Sequence, residues 1–231
     1  IGAIDASKLT KITGTGADAK TAFESAGISG LIFDASNYLA SYTDLLAAFG
    51  NDLATAKSHY FANGVSEGRS FDAFDETSYL ASYTDLLGAF GTNTDKALIH
   101  YINNGYSEGR TVSFDANSYL ASNTSLIGST SVADATKHYV ETGYAAGLAA
   151  DSFDEYAYIA SYSDLIAAFS TNGAAGTKHY IDYGSTEGRT VSFDASEYLA
   201  AYADLRAAFG TDQEAAKKHF IEYGFNEGRI G

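Results

Sequence analysis

The chain has 231 residues, 45% of them hydrophobic and 14% aromatic, and a formal charge of −15 from 14 Lys and Arg against 29 Asp and Glu. So much apolar content argues against a disordered chain, and the surplus of anions argues against nucleic-acid phosphates and acidic lipids as partners. No apolar run is long enough for membrane insertion, and with no Cys there are no disulfides or thiolate metal sites.

In chain order, residues 1–32 come first and stand apart. They contain short β-prone pieces at 11–13 and 27–31 and a small helix candidate at 18–25. Isolated strand pieces need partners for their backbone groups. This segment is therefore expected to lie outside the rest of the fold, its strands completed by other sequence or another chain. Residues 1–20 lack a basic-then-apolar leader. With no Met present, a processed chain or a segment of a longer one is expected.

From Phe33 onward the sequence repeats itself. Phe-Asp recurs at Phe33, Phe74, Phe114, Phe153 and Phe193, 39 to 41 residues apart. This divides the chain into repeats at 33–73, 74–113, 114–152, 153–192 and 193–231. Asp34 is placed as an N-cap, with Phe33 and Tyr38 as the hydrophobic staple around it. Tyr38, Leu39, Tyr42, Leu45, Leu46 and Phe49 share one face of a helix that Gly50 stops. A second helix is expected over about 53–63. Gly64 is read as its left-handed C′ residue, repeated at Gly105, Gly143, Gly184 and Gly224, with Tyr60 and Val65 meeting in a Schellman motif. Two helices per repeat cannot bury their apolar faces alone, but stacked neighbours can. The expected class is mainly α: an α-solenoid of five helical hairpins after a small β-containing segment.

The third repeat departs from the rest in a correlated way. Asp44, Asp85, Asp164 and Asp204 have Ser125 as their counterpart, and Arg69, Arg110, Arg189 and Arg229 have Leu148. Acid and base vanish together, as expected of partners, because losing only one leaves an uncompensated charge. The pairs Asp44–Arg69, Asp85–Arg110, Asp164–Arg189 and Asp204–Arg229 are therefore expected. With Asn123 for Tyr42 and Ser129 for Phe49, the third repeat is expected to be the least stable.

Each chemistry-bearing residue type recurs several times, whereas an active site is usually one place. His59, His100, His138, His179 and His219 hold one repeat position and read as packing histidines, since no His-x-x-His or His-x-x-x-His spacing occurs. There is no nucleophile elbow, P-loop or EF-hand. Residues 93–95 and 151–155 are the acidic loops that could hold a hard cation such as calcium weakly. No enzyme is expected, no catalytic residue is assigned and no cofactor is required.

The phrase Phe-Asp-x-x-x-Tyr-Leu-Ala-Ser-Tyr-x-Asp-Leu, followed by His-Tyr-x-x-x-Gly-x-x-Glu-Gly-Arg, resembles a repeat of bacterial secreted and surface proteins. That repeat occurs in alphaproteobacteria and cyanobacteria, often beside repeats-in-toxin calcium segments, and is attached to some glycosyltransferases. The resemblance covers residues 33–229, and residues 1–32 resemble a vaguer repeat of giant surface proteins. Family members often carry proline after the position of Tyr42 and in the terminal turn, and this chain has none. The resemblance implies type I export and a place at the cell surface in an S-layer, adhesin or extracellular filament. The partners it implies are copies of the chain or other parts of a longer surface protein. The alternative is a module that anchors such a protein to lipopolysaccharide or matrix polysaccharide.

Overall fold

The computed structural model describes residues 33–231; the β-prone pieces and helix candidate expected in residues 1–32 lie outside the described residues. Among the described residues every regular element is helical, and the helices recur in hairpin-like groups. The chain forms two compact bodies, Ile1–Phe114 and Asp115–Gly231. The first holds repeats 1 and 2, and the second holds nearly all of repeat 3 with repeats 4 and 5.

The start of each repeat follows from local chemistry. Asp34 Oδ1 accepts the N–H groups of Ser36 and Asn37 at 2.7 and 3.3 Å, starting the helix Ala35–Ala40. The rings of Phe33 and Tyr38 meet at 5.8 Å, which fixes the entry of the chain. The expected long first helix is instead two short ones. Tyr42 is extended, with φ −135° and ψ 112°, and its carbonyl starts a new helix, Thr43–Phe49. The same break falls at Tyr83, Tyr162 and Tyr202. Ser41 bonds back to the Asn37 carbonyl, but Ala201 precedes the break in repeat 5, so the serine is not its cause. The four tyrosines share a ring position beneath an arginine, described below. Each repeat other than the third therefore has three helices, not two.

Gly50, with φ 58°, ends the second helix, and the Asp52 cap starts the third, Leu53–His59. The third helix then widens into a π-helical turn, Tyr60–Gly64, closed by the Val65 N–H on the Tyr60 carbonyl at 3.0 Å. Here the expected capping is corrected. Gly64 is not left-handed, and Tyr60 and Val65 form a π turn and not a Schellman motif. That motif lies four residues on, at Gly68 with φ 69°. The Arg69 N–H bonds the Gly64 carbonyl and the Gly68 N–H bonds the Val65 carbonyl, at 2.9 and 3.2 Å. The other four repeats close in the same way, at Gly109, Gly147, Gly188 and Gly228.

Neighbouring repeats complete one another's cores. Helix Ala35–Ala40 packs on Leu53–His59 of its own repeat and on Thr94–His100 of the next. In the second body, Ala116–Ser122 packs likewise on Val132–His138 and Gly173–His179, and Glu155–Ala160 on Gly173–His179 and Gln213–His219. Tyr38, Tyr79, Tyr119, Tyr158 and Tyr198 are fully enclosed. A serine seals each joint: Ser41 Oγ accepts the N–H groups of Ala73 and Phe74 at 3.0 and 2.9 Å. Ser122 does the same for Ser152 and Phe153, and Ser161 for Ser192 and Phe193.

Repeat 3 differs more than expected. A single 3-10 turn, Thr124–Leu126, replaces the second helix, and the tyrosine-to-histidine spacing is 19 residues instead of 21. Ser129 bonds the Leu126 carbonyl in the tightened loop and lines the same hollow beside His138 that Phe90 lines beside His100. Asn123, however, partly replaces the missing tyrosine. Its amide donates to the Ala149 carbonyl at 2.8 Å, the bond that the Tyr83 hydroxyl makes to Thr111. Residues 116–143 are expected to show the fastest hydrogen exchange in repeats 3 to 5, because the second helix and the arginine contacts are missing. Slower exchange there than in repeats 4 and 5 would contradict this.

Candidate functional site

The expected acid–base partners are brought together in a cluster at the end of each repeat other than the third. The Schellman turn at Gly68 projects Arg69 back over the second helix. Its two terminal nitrogens donate to both Asp44 oxygens, at 3.0 and 2.8 Å. Nε donates to Glu67, and the guanidinium lies 4.7 Å from the centre of the Tyr42 ring. Arg110 repeats this with Asp85, Glu108 and Tyr83, and Arg229 with Asp204, Glu227 and Tyr202. Arg189 meets Asp164, Glu187 and Tyr162 in the same place, with one terminal nitrogen set against both Asp164 oxygens. In repeats 2 and 4 the tyrosine hydroxyl also accepts the N–H of the residue after the arginine and donates to its carbonyl. The glutamate and the tyrosine were not anticipated as partners; the Glu-Gly-Arg triplet was the available sign.

Asp44 is 61% exposed and Arg69 22%, so the pair contributes little by charge alone, roughly 0–1 kcal/mol. A double-mutant cycle on Asp85→Ala and Arg110→Ala is expected to give a measurable coupling of about 0.5–1 kcal/mol, helped by the paired geometry. Strictly additive losses would show that the pair adds nothing to stability.

The histidines occupy a second recurrent cluster. The Tyr38 hydroxyl hydrogen-bonds His59 Nδ1 at 2.9 Å, and the same bond joins Tyr79 to His100, Tyr119 to His138, Tyr158 to His179 and Tyr198 to His219. A phenyl ring covers four of these histidines: Phe49, Phe90, Phe169 and Phe209 lie at 5.5 to 5.9 Å. Burial pushes the Tyr38, Tyr158 and Tyr198 hydroxyls up to about 12, so at neutral pH they stay protonated. The same hydroxyls stand against Gly64, Gly184 and Gly224. A Cβ on Gly64 would lie 2.6 Å from the Tyr38 oxygen, and the other contacts are closer. Glycine is needed here for close approach.

One residue of each acidic loop is engaged internally. Asn93 caps a helix through Lys96 N–H, and Asp154 caps another while holding Lys217 at 2.7 Å. Lys217, almost enclosed, also reaches Glu214 at 2.8 Å. Burial works against its charge, but the two carboxylates outweigh that, and its pKa lies above the ordinary value. Among the described residues, no group of three or more His, Asp or Glu is placed to hold a metal ion. Within that part of the chain, no helix is long and apolar enough to cross a membrane.

The carboxylates divide into two sets. Hydrogen bonds from Arg69, Arg110 and Arg229 hold Asp44, Asp85 and Asp204 below the usual range, while burial raises Glu76, Asp151 and Glu155. A raised acid contributes stability that is full below its unfolded pKa and fades as pH rises through the folded one. A lowered acid contributes above its unfolded value, near 3.8 here, and that contribution is lost as pH falls through the folded one. Relief of the −15 charge acts in the same direction as the raised set. The melting temperature is expected to rise as pH is lowered from neutral to about 5, then to drop below about 4. Calorimetry across that range checks this; a steady fall from pH 7 downward would contradict it.

Fold and clusters together define the described chain as a helical repeat protein whose recurring polar groups are spent on its own architecture. No family model, curated protein or solved structure matches it.

Proposed function

We propose that the chain is a non-catalytic structural module of a secreted bacterial surface protein, an S-layer, filament or adhesin, in which it makes scaffold or self-association contacts. The observation that supports this reading is the recurrence of the arginine cluster and the tyrosine–histidine–glycine cluster. Both direct their polar groups to partners within their own repeat, as load-carrying architecture requires and as a single reaction centre does not. Electron microscopy of the purified chain, with and without calcium, tests the reading. Ordered polymers support it; a monodisperse chain at high concentration in both conditions counts against the self-association part.

A second reading, anchoring to a surface polysaccharide, rests on Tyr183 and Tyr223. They occupy one repeat position and are 58% and 57% exposed, leaving ring faces open to sugar stacking. Affinity electrophoresis in bacterial polysaccharide, with Tyr183→Ala and Tyr223→Ala as controls, tests it. Unretarded migration of the native chain would exclude it for that polymer.

A further inference from the structure

Repeat 5 keeps the signature of the array in full: Tyr198, Asp204, His219, Gly224 and Arg229 are all in place. Apart from Phe220, which stands where the other repeats have tyrosine, three of its departures gather on one face. In repeats 1, 3 and 4 that face receives the following repeat. Asn37 and Ala157 are buried on it, as are Ala40, Ala121 and Ala160, and Leu46 and Ile166. Ser41, Ser122 and Ser161 seal its edge by accepting backbone N–H groups of the incoming chain.

Repeat 5 changes three of these four positions. Glu197 stands where Asn37 and Ala157 stand, Ala201 replaces the serine, and Arg206 replaces the leucine or isoleucine. Glu197, Ala200, Ala201 and Arg206 are all exposed. Arg206 folds over the end of helix Ala195–Ala201 and donates to the Leu199 carbonyl at 3.1 Å and to the Ala200 carbonyl. Gln213 donates to Ser196 at 2.8 Å beside it.

We propose that repeat 5 is a terminal cap, whose outer face rejects both a sixth repeat of this kind and the first repeat of a second copy. Stacking there would strip water from a carboxylate and a guanidinium. It would also leave the incoming N–H groups without the hydroxyl that receives them elsewhere. Terminal repeats of such arrays need a polar outer face for the same physical reason. Repeat 3 lacks the acid–base pair and the second helix, whereas repeat 5 keeps both and differs where a neighbour would be received. The face is closed by its own residues, whatever follows Gly231. If copies of the chain associate, they do so through other surfaces.

The test extends the full chain by a second copy of residues 192–231, placed after Gly231, which sets the added phenylalanine four residues after Arg229, as Phe193 follows Arg189. The added repeat carries Lys217, which would meet the Asp194 cap as it now meets Asp154, so its inward face is suited to stacking. Two backgrounds are compared, the native one and a variant carrying Glu197→Ala, Ala201→Ser and Arg206→Leu in the original repeat 5. Circular dichroism of the unextended variant checks that it folds. Hydrogen exchange and limited proteolysis then report on the added repeat. The expected result is an added repeat cleaved readily in the native background and protected more than tenfold better in the variant. Equal protection in the two backgrounds, whether high or low, would overturn the proposal.

Discussion

Gly184→Ala is expected to destabilise the second body by about 1–3 kcal/mol, the usual cost of forcing atoms into a filled core. The added methyl would meet the Tyr158 hydroxyl at less than contact distance, with the Tyr158 and Tyr180 rings close behind at 3.1 and 3.2 Å. Tyr158 cannot turn aside, because it is fully enclosed and its hydroxyl is bonded to His179. Removing that hydroxyl by Tyr158→Phe is expected to cost about 1 kcal/mol alone, the worth of one hydrogen bond. In combination it should relieve most of the crowding, so the double variant is more stable than the sum of the singles. Denaturant titration of the four proteins measures this coupling. Additive losses would show that the glycine is required for some reason other than the hydroxyl.

Ser161→Ala is expected to weaken the joint between repeats 4 and 5 by about 1–3 kcal/mol. The hydroxyl accepts the N–H groups of Ser192 and Phe193, and the Phe193 N–H is partly buried and has no easy route to water. The loss should appear as faster hydrogen exchange in residues 193–231, with repeat 4 itself less affected. A uniform change through residues 115–231 would mean that the serine supports its own helix more than the joint. Repeat 5 already carries the alanine, at Ala201, so the substitution gives repeat 4 the edge of the last repeat.

The caps and staples were legible from sequence because their causes lie within one helical turn. Asp34 reaches only Ser36 and Asn37, and Gly50 stops a helix through its own backbone. The break at Tyr42 was not legible, and it recurs at Asn123 with neither the tyrosine nor the arginine, so the ring contact with Arg69 accompanies the break without causing it. Gly64 was misread because a left-handed turn and a close approach both call for glycine. Only the position of Tyr38 distinguishes them. The pairing of Asp and Arg could be inferred because repeat 3 lost both at once, a small mutational experiment written into the chain. The serine joint left the same kind of trace in Ala201, which goes unnoticed until the partner N–H groups are located.

The arginine clusters have a mechanical consequence. Each ties the second helix of a repeat to the far end of its third helix through parallel bonds to one carboxylate, so a pull along the chain is shared by two bonds at once. The joints between repeats rest on side-chain packing, a serine at the edge and scattered polar contacts such as Lys217 to Asp154 and Asn37 to Glu76. Each repeat that does give way releases about forty residues of slack, roughly 130–140 Å of extended chain. A chain built this way would lengthen in steps under load and absorb work at each step.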